Sequence, residues 1–487
     1  MENLMELADS RSLGGYIAAV LADEAVDADT RLPRRGVYTP LEHRRALLPD
    51  TTVVRGARGV GKTVWFRSLQ VETLRSSAAS EYRLPALRDP LVAVGYGNLL
   101  EPDLYPSAAD LLEMTDVASP SEIWSAVVLK VLGSPVMASL TSWTSRARAV
   151  HNDPRVVPRE YARLDREMES EERTALVLFD ALDRMSASRP VTDRLVRGLL
   201  QVALDLRVGT RNIRAKVFAR PDLLDSARFT DASKLDANRV DLTWSSTSLF
   251  GLFFTTLGNG GGSDAADFRA QTGAWRQGLD GRWRSDVLSA DQSAQAHLFT
   301  KIAGPYMGSS IKRGRTYQWL PSHLADGRGM VSPRSFLTAL RQAAERTSTL
   351  RGGHEYAIHR DELKEGVRFA SQGRVTEIEE DLPWVPLLVR PLEGLQVPLA
   401  QSDVFDRWRT QDVLGRLEHM QEPRISAELS EVRVGPRDVL DEHAVLEQLA
   451  DVGVVTYRYD GRVDLPDVYR LAFGLGRKGG IPRVAVN

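Results

Sequence analysis

The chain has 487 residues and no cysteine, with 43% hydrophobic residues, 26% charged residues and a formal net charge of −2. This length fits about two to four ordinary domains, and the balanced composition argues against a disordered or fibrous chain. Without cysteine, disulfides, thiolate metal sites and cysteine nucleophiles are excluded.

The basic residues give no sign of a general nucleic-acid surface. Only 8 of the 63 basic residues are lysines, and the near-neutral total argues against a basic coat while permitting a local patch. The acidic start lacks the basic segment of a secretory signal, and no apolar run approaches the roughly 20 residues of a membrane span. We therefore expect a cytoplasmic protein with no membrane contact.

Residues 1–50 are predicted to form a lead-in that ends in a short helix, LEHRRALLPD. From residue 51, short apolar runs alternate with longer helical segments, and the runs are TTVVRG, LVAVGYGNL, ALVLFDAL and AKVFARPD. Such alternation predicts βαβ units and a parallel sheet covered on both faces. Helices are predicted over 105–170 and over 191–208. The sequence therefore predicts an α/β core at 51–257.

A glycine-rich stretch follows Leu257 and reads GNGGGSDAADFRAQTGAWRQG. Its composition is typical of a linker, so we expect a domain boundary there. A helical lid region is predicted over 258–350. Within it, Ser332 and Pro333 have the character of an N-cap and a first-turn proline.

The last part of the chain is predicted to contain a connector and a small terminal domain. Residues 351–400 are predicted to form a connector. Its part at 373–400 is rich in proline and short apolar runs, and we expect that part to lie on a surface without a regular element. Residues 401–487 contain the helix HAVLEQLADVGVV and then two short strands around Asp460-Gly461. A helix followed by such a hairpin is the pattern of a winged helix. The predicted fold class is thus α/β, a parallel-sheet core with a helical lid and a C-terminal winged helix.

The sharpest motif is GARGVGKT at 56–63, which matches G-x-x-x-x-G-K-[ST] between a predicted strand and a predicted helix. Glycines in such a loop let backbone N–H groups turn inward around phosphates, and the helix N-terminus adds positive potential. Lys62 can reach the β- and γ-phosphates, and the Thr63 hydroxyl can ligate Mg²⁺. The predicted nucleotide-binding residues here are Gly56, Gly59, Val60, Gly61, Lys62, Thr63 and Val64.

A second motif is the apolar run that ends in Asp180, with Asp183 three residues further on. A buried strand of this kind delivers a carboxylate to the edge where open α/β sheets bind ligands, as a Walker B strand does. We predict that Asp180 holds the Mg²⁺ hydration shell and that Asp183 orients or deprotonates the attacking water. A carboxylate after an apolar strand is common, so the prediction depends on the glycine loop upstream.

Two arginines are candidates for contact with the phosphates. Arg220 follows the run AKVFA, where it can sense the γ-phosphate or a neighbouring subunit's nucleotide, or else form a surface salt bridge with Asp222. Arg334 opens a predicted helix of the lid region and can reach back to the phosphates, or else remain a solvated first-turn residue. Both readings stay open, although the planar, permanently charged guanidinium suits phosphate.

Taken together, GARGVGKT, the D-A-L-D sequence at 180–183, the RPD at 220–222 and VDLTWSSTSLFGLFF at 240–254 resemble the STAND-like and KAP-like P-loop ATPases of bacteria. These belong to the AAA-related ASCE division. The resemblance implies an ATP-driven switch that oligomerises or acts on a partner effector, often in conflict or antiviral systems. Asp183 stands where many relatives have Glu, which implies slow hydrolysis. The roles carried over are those of Gly56, Gly61, Lys62, Thr63, Asp180, Asp183, Arg220 and Arg334.

Three hypotheses of different classes follow. The first is a Mg²⁺-dependent, ATP-hydrolysing regulatory switch. The second is a DNA-binding protein in which ATP controls contact between the winged helix and duplex. The third is an interaction scaffold that binds ATP without hydrolysing it.

Overall fold

The computed structural model describes residues 13–22, 37–98, 103–186, 188–226, 232–421 and 441–478. These residues form two compact units. The sheet unit contains residues 41–242, and the helical unit contains the described residues before 41 and after 242. Within the described ranges, no helix combines the length with the apolar character that a membrane span needs.

The sheet unit is built on one parallel sheet of five strands, and the helical unit carries three two-stranded pairs. The strands of the parallel sheet are β1 Val53–Arg55, β2 Leu91–Tyr96, β3 Ala175–Phe179, β4 Ile213–Ala219 and β5 Arg239–Asp241. The strands of the pairs are β6 Arg276–Gln277, β7 Trp283–Arg284, β8 Gln396–Val397, β9 Thr456–Tyr457, β10 Val463–Asp464 and β11 Gly476–Arg477.

Helices make up most of the rest of the described chain. The first half contains α1 (13–22), α2 Arg44–Leu47, α3 Lys62–Gln70, α4 Glu72–Glu81, α5 Ala108–Thr115, α6 Pro120–Val131, α7 Pro135–Ala138, α8 Trp143–Asn152, α9 Val156–Ser170, α10 Arg189–Gly209, α11 Pro221–Ser226 and α12 Ala232–Asp236. The second half contains α13 Ser246–Gly258, α14 Gly262–Gln271, α15 Asp286–Ala290, α16 Gln292–Ala303, α17 Thr316–Leu324, α18 Pro333–Leu350, α19 Arg360–Asp381, α20 Trp384–Val389, α21 Gln401–Thr410, α22 Val413–Gln421, α23 Glu442–Asp451 and α24 Asp467–Arg470.

The strand order across the sheet is β2-β3-β4-β1-β5. All neighbours are parallel, and every residue of β3 is buried, as expected for a sheet covered on both faces. The four predicted strands are confirmed, whereas the edge strand β5 was not predicted. Strand β5 reads RVD and contains a single apolar residue, so no apolar run marks it in the sequence, and it is specified by its pairing with β1.

Helices cover the sheet as the sequence predicts. Five helices, α5 to α9, occupy the predicted helical insertion at 105–170, and α10 covers the segment predicted at 191–208. The indole of Trp124 on α6 is fully buried and donates to the Leu195 carbonyl of α10 at 2.8 Å. This hydrogen bond satisfies the polar atom of a large aromatic side chain in the core.

Aromatic packing from four helices forms the core of the helical unit. The ring centroid of Phe250 on α13 lies 4.0 Å from the ring centroid of Tyr317 on α17. It lies 4.8 Å from the ring centroid of Phe299 on α16 and 5.0 Å from that of Phe336 on α18. Ser332 caps α18, and Pro333 is its first residue, as predicted. Helix α13 is buried from Ser248 to Gly258, so it is a central helix of this unit.

The C-terminal part of the helical unit is a winged helix. Helices α21, α22 and α23 precede the antiparallel β9–β10 hairpin, in which Tyr457 pairs with Val463. Gly461 has φ +79° at the predicted turn, a left-handed conformation that glycine adopts without strain. The fold class is therefore the predicted one, an α/β parallel-sheet P-loop core with a helical region and a C-terminal winged helix.

The structure contradicts the linker interpretation of the glycine-rich stretch and the boundary placed after Leu257. The boundary between the units lies at 242, and α13 belongs to the helical unit because its apolar surface packs there on all sides. A Cβ at Gly258 would lie 2.3 Å from the Trp275 ring, and one at Gly260 would lie 2.2 Å from the Tyr16 hydroxyl oxygen. These glycines permit close packing between α13 and its neighbours.

The prediction that 373–400 forms no regular element is also wrong. Helix α19 spans 22 residues, and α20 follows it after a short turn. Pro383 and Pro386 lie at the start of α20, where backbone N–H groups have no partner within the helix, so the prolines remove no hydrogen bond. Trp384 and Val385 are buried with the winged-helix residues, so this segment belongs to that core.

Candidate functional site

Three parallel strands deliver the predicted site residues to one edge of the sheet. Strand β1 leads into Gly56, β3 leads into Asp180 and β4 leads into Arg220. Because the strands are parallel, their carboxyl ends meet at the same edge, the usual ligand-binding edge of an open α/β sheet. Strand β4 lies between the other two, so Arg220 emerges between the glycine loop and Asp180.

The glycine loop has the backbone conformation that its motif requires. Gly59 and Gly61 have φ of +79° and +105°, and Gly61 is the N-cap of α3. A Cβ at Gly56 would lie 2.5 Å from Cγ2 of the buried Val60. The loop therefore leads into α3 at its first turn, which contains Thr63 and Val64 and is the end of a helix that binds anions.

The side chain of Lys62 lies over its own loop. Its Nζ donates to the carbonyls of Gly56 at 2.7 Å and of Ala57 at 2.9 Å. The ammonium is thus held beside the loop that the motif assigns to phosphate, where the positive charge is needed.

Thr63 and Asp180 are in direct contact. The Thr63 hydroxyl donates to Asp180 Oδ2 at 2.8 Å, which joins the start of α3 to the end of β3. Burial raises the pKa of Asp180, while the hydrogen bond from Thr63 and the charge of Lys62 lower it in part. A hydroxyl and a carboxylate in contact are hard oxygen donors, so the pair fits Mg²⁺, which usually takes only a few protein ligands.

The two acidic residues after β3 lie in different environments. Asp180 is only 4% exposed, whereas the side chain of Asp183 is 41% exposed. Between them, Ala181 has φ +58°, a left-handed conformation that is uncommon outside glycine, and a short 3-10 helix follows. This turn directs the second carboxylate away from the buried strand and towards solvent.

Arg220 contacts carboxylates on two sides. Its Nε lies 3.3 Å from Asp222 Oδ1, and its Nη1 lies 3.7 Å from Asp183 Oδ2. The salt bridge with Asp222, which the sequence offers as the alternative to a phosphate contact, is present. Arg220 nevertheless lies at the sheet edge with the other predicted site residues. Arg220 is mostly buried, with 14% of its side chain exposed.

Arg334 is engaged within the helical unit. It lies in the first turn of α18, and its Nη1 is 3.0 Å from Glu377 Oε1 on α19. Glu377 also pairs with Arg374 at 3.0 Å. The prediction that Arg334 binds nucleotide therefore stays a prediction, while the other predicted residues lie together at the sheet edge.

Two residues with strong electrostatic features were not predicted. Lys216 lies fully buried in β4 and donates to the carbonyls of Ala46, Leu48 and Thr51. Tyr96 ends β2, and its pKa is raised to about 12 by burial and by the neighbouring Tyr105 and Asp183. A lysine inside an apolar strand is a visible signal in the sequence, whereas the position of Tyr96 depends on the pairing of β2 with β3. In the described part of the chain, no group of three or more acidic or histidine side chains is arranged to hold a metal ion.

Comparisons with known proteins find likeness only among solved structures. No protein-family model and no curated protein matches the chain. The ORC2 protein of Aeropyrum pernix in its ADPNP-ADP complexes is 15% identical, with 97% of this chain and 94% of that chain covered and a TM-score of 0.37. The Aeropyrum pernix ORC1 protein in complex with DNA is 14% identical, with coverages of 97% and 93% and a TM-score of 0.31. The ADP form of ORC2 is 15% identical, with coverages of 96% and 92% and a TM-score of 0.31. These identities and TM-scores are too low to assign a function to this chain.

Proposed function

We propose that this protein is a Mg²⁺-dependent ATPase that works as a regulatory switch. The observation that carries the proposal is the 2.8 Å contact between Thr63 and Asp180, because it joins the loop motif to the strand carboxylate. Two motifs separated by more than a hundred residues in the sequence thereby form one oxygen pair suited to Mg²⁺.

The roles of the residues follow from their positions. Backbone N–H groups of the loop and the Lys62 ammonium bind the β- and γ-phosphates, and Thr63 and Asp180 hold the metal ion. When bound, Mg²⁺ supplies charge neutralisation at the phosphate oxygens. Asp183 accepts a hydrogen bond from the water whose oxygen attacks the terminal phosphorus as the bridging P–O bond breaks.

We expect turnover to be slow. The water-orienting group is an aspartate, one methylene shorter than glutamate, and it faces a guanidinium in this structure. The resemblance to STAND-like and KAP-like ATPases supports a place in a bacterial defence or signalling system, with a second copy of the chain or an effector protein as partner. Slow hydrolysis suits a switch, because the ATP-bound state then persists long enough for that partner to bind it.

The winged helix favours a protein partner over duplex DNA. Helix α23, which directly precedes the hairpin, contains no lysine or arginine. Glu447 and Asp451 are exposed on it, and its N-cap Asp441 is exposed as well. Binding to DNA depends on cationic side chains that neutralise phosphates, so this helix is poorly suited to enter a groove. Duplex binding at low salt that depends on α23 would reverse this preference.

The test of the proposal is nucleotide binding and turnover in single variants. We expect Lys62→Ala to abolish ATP binding and Asp180→Ala to abolish Mg²⁺-dependent turnover, each measured by calorimetry and phosphate release. Lys234→Ala is the matched control, because Lys234 is an exposed lysine of the same unit. Unchanged ATP affinity in Lys62→Ala would overturn the assignment, and turnover that survives Asp180→Ala would assign hydrolysis to other residues. ATP binding by the wild type without turnover would favour the scaffold reading.

A further inference from the structure

The segment between α16 and α17, residues 305–315, carries a concentrated positive charge. We call it the basic loop, because it contains Lys312, Arg313 and Arg315 and no acidic residue. All three side chains are exposed. Among the residues that the structure describes, none of the three side chains has a hydrogen-bond or ion-pair partner. Cations gathered in this way repel one another, and an anionic partner relieves that repulsion.

The backbone of the basic loop is held in one conformation by hydrogen bonds at its base. The Met307 amide donates to the Gly314 carbonyl at 2.9 Å, and the Thr316 amide donates to the Pro305 carbonyl at 3.2 Å. The buried Thr316 hydroxyl also donates to the Gly304 carbonyl at 2.6 Å. The cations therefore project from an ordered support, which lowers the entropy that a partner's binding has to overcome.

A cleft of about 730 Å³ lies beside the basic loop and shares Arg315 with it. Helix α15, the first turn of α16 and the start of α17 form its walls. Ala290, Ala296 and Tyr317 give it apolar surface. The volume is in the range of ligand-binding clefts, so it can accept an apolar side chain of a partner.

The charged groups of the cleft favour an anionic partner. Asp286 and Asp291 line the cleft, but both carboxylates are engaged. Asp286 Oδ1 lies 3.0 Å from Arg276 Nη2, and Asp291 Oδ1 accepts the Ser293 amide of α16 at 2.8 Å. Arg315 has no such partner in the described part of the chain, and its planar guanidinium suits a carboxylate or a phosphate.

The surroundings of Arg315 favour a peptide over a nucleic acid. The carboxylates of Asp286 and Asp291 repel a continuous phosphate backbone, whereas a peptide offers N–H groups to their oxygens. Tyr317, the aromatic residue of the cleft, is only 4% exposed, so its ring is poorly placed to stack on a base. Ile311 in the basic loop is 57% exposed and adds apolar surface outside the cleft.

We propose that the basic loop and the cleft form a docking surface for an acidic peptide segment of a partner protein. An apolar side chain of that segment enters the cleft, and its carboxylates contact Arg315, Lys312 and Arg313. The surface belongs to the helical unit and needs no nucleotide, so the inference goes beyond the proposed ATPase function. It states the chemistry by which a protein partner is recognised.

Binding of a labelled peptide of alternating glutamate and leucine to the full chain tests the proposal. Fluorescence anisotropy at low ionic strength, without nucleotide, would measure the affinity. The combined variant Lys312→Gln, Arg313→Gln and Arg315→Gln should bind the peptide about tenfold more weakly, because three exposed charge contacts are lost. A wild type that does not bind the peptide, or an unchanged affinity in the variant, would overturn the docking surface.

The matched control removes the same charge from another face of the helical unit. Arg360, Lys364 and Arg368 are exposed on α19, and their combined replacement by glutamine also removes one lysine and two arginines. The peptide affinity of this control should change by less than about twofold, since distant charges are screened. Equal weakening in both variants would show that net charge alone attracts the peptide, and the proposal would be wrong.

The cleft is tested by its dependence on the apolar side chain. Ala290→Trp fills the cleft from an exposed position and should weaken the leucine peptide about tenfold, because a leucine side chain loses its burial. It should leave a peptide with serine in place of leucine unaffected. Equal affinity of the wild type for the two peptides would remove the cleft from the proposal.

An oligothymidylate of the same charge as the peptide distinguishes the two classes of partner. It should bind more weakly than the peptide, and tighter binding that depends on Arg315 would assign the surface to nucleic acid and overturn the proposal. A chain that binds the peptide but no ATP would overturn the ATPase assignment alone, so the two proposals fail separately.

Discussion

At the scale of single residues, two lysines of the sheet unit contact backbone carbonyls with different consequences. Lys62 donates to two carbonyls of its own loop at the open edge of the sheet. Lys216 lies inside the unit and donates to three carbonyls, those of Ala46 at 2.7 Å, Leu48 at 2.9 Å and Thr51 at 2.8 Å. Three acceptors use all the N–H bonds of an ammonium group, so Lys216 has a structural role.

We predict that Lys216→Met destabilises the protein by about 2 kcal/mol, because three buried carbonyls lose their donor. Urea unfolding of the full chain would measure the change. Lys234→Met replaces an exposed lysine of the same unit and should change the stability little. A stability equal to that of the wild type would show that water or a rearranged turn satisfies these carbonyls.

The same lysine should make stability depend on pH. Burial lowers the pKa of Lys216 from 10.5 in its ordinary environment to about 7. Between these values the unfolded chain binds the proton more strongly than the folded chain, so the unfolding free energy contributed by this group rises as pH increases. The stability of the wild type relative to Lys216→Met should therefore increase from pH 7 towards pH 10, measured by unfolding at each pH. A difference that falls over this range would contradict the prediction.

At the scale of elements, close helix crossings in both units depend on glycine. A Cβ at Gly198 on α10 would lie 2.5 Å from Cβ and 2.6 Å from the carbonyl carbon of Pro120, at the start of α6. Main-chain atoms of α6 cannot move without shifting the whole helix. The distance at which α6 and α10 cross is therefore possible because Gly198 has no side chain.

We predict that Gly198→Ala lowers the unfolding free energy by about 1 to 3 kcal/mol, because overpacking outweighs the gain of up to about 1 kcal/mol that Ala brings to a helix. Thermal unfolding would measure it. Gly209→Ala is the control on the same helix, since a Cβ at Gly209 meets no atom within 4 Å. That variant should be neutral or slightly stabilised, and an equal loss in both would argue against the crossing as the cause.

At the scale of the whole molecule, the helical unit fixes the winged helix to its other helices. Ser371 on α19 donates to the Val468 carbonyl of α24 at 2.7 Å, and the Gly327 amide donates to the Gly453 carbonyl at 2.7 Å. Arg374 on α19 is 12% exposed; burial alone would lower its pKa, but Tyr469, Glu377 and Asp326 raise it. A buried charge network and the Ser371 hydrogen bond thus attach the winged helix to α19, and the Gly327 hydrogen bond attaches it to the segment that precedes α18.

We predict that Arg374→Met weakens this attachment and costs about 2 kcal/mol, because Glu377 and Asp326 each lose one of the two arginines that face them. Hydrogen exchange of α23 and α24 would increase together with the loss of stability. Arg368→Met is the matched control, since Arg368 is an exposed arginine of the same helix that pairs only peripherally, with Glu365 at 3.1 Å. Faster exchange in both variants alike would show that the network does not hold the winged helix.

A structural feature of this protein can be predicted from the sequence when adjacent residues encode it. The glycine loop, the helix start at Ser332 and the turn at Gly461 are each encoded by a few adjacent residues whose backbone or capping preference is strong, and each is present as predicted. The linker after Leu257 was wrongly predicted because glycine serves close packing as readily as flexibility, and only the neighbours Trp275 and Tyr16 distinguish the two.

The sequence by itself determined the succession along the chain of four strands and their helices in the core, the phosphate-loop motif and the identity of the acidic pair after the third strand. Only the tertiary structure decided that Thr63 contacts Asp180, that Arg220 lies between Asp222 and Asp183, and that Arg334 pairs with Glu377. The reason is physical: short-range preferences act through neighbouring residues, whereas ion pairs between distant segments are fixed by strand order and helix packing, which arise only when the whole core forms.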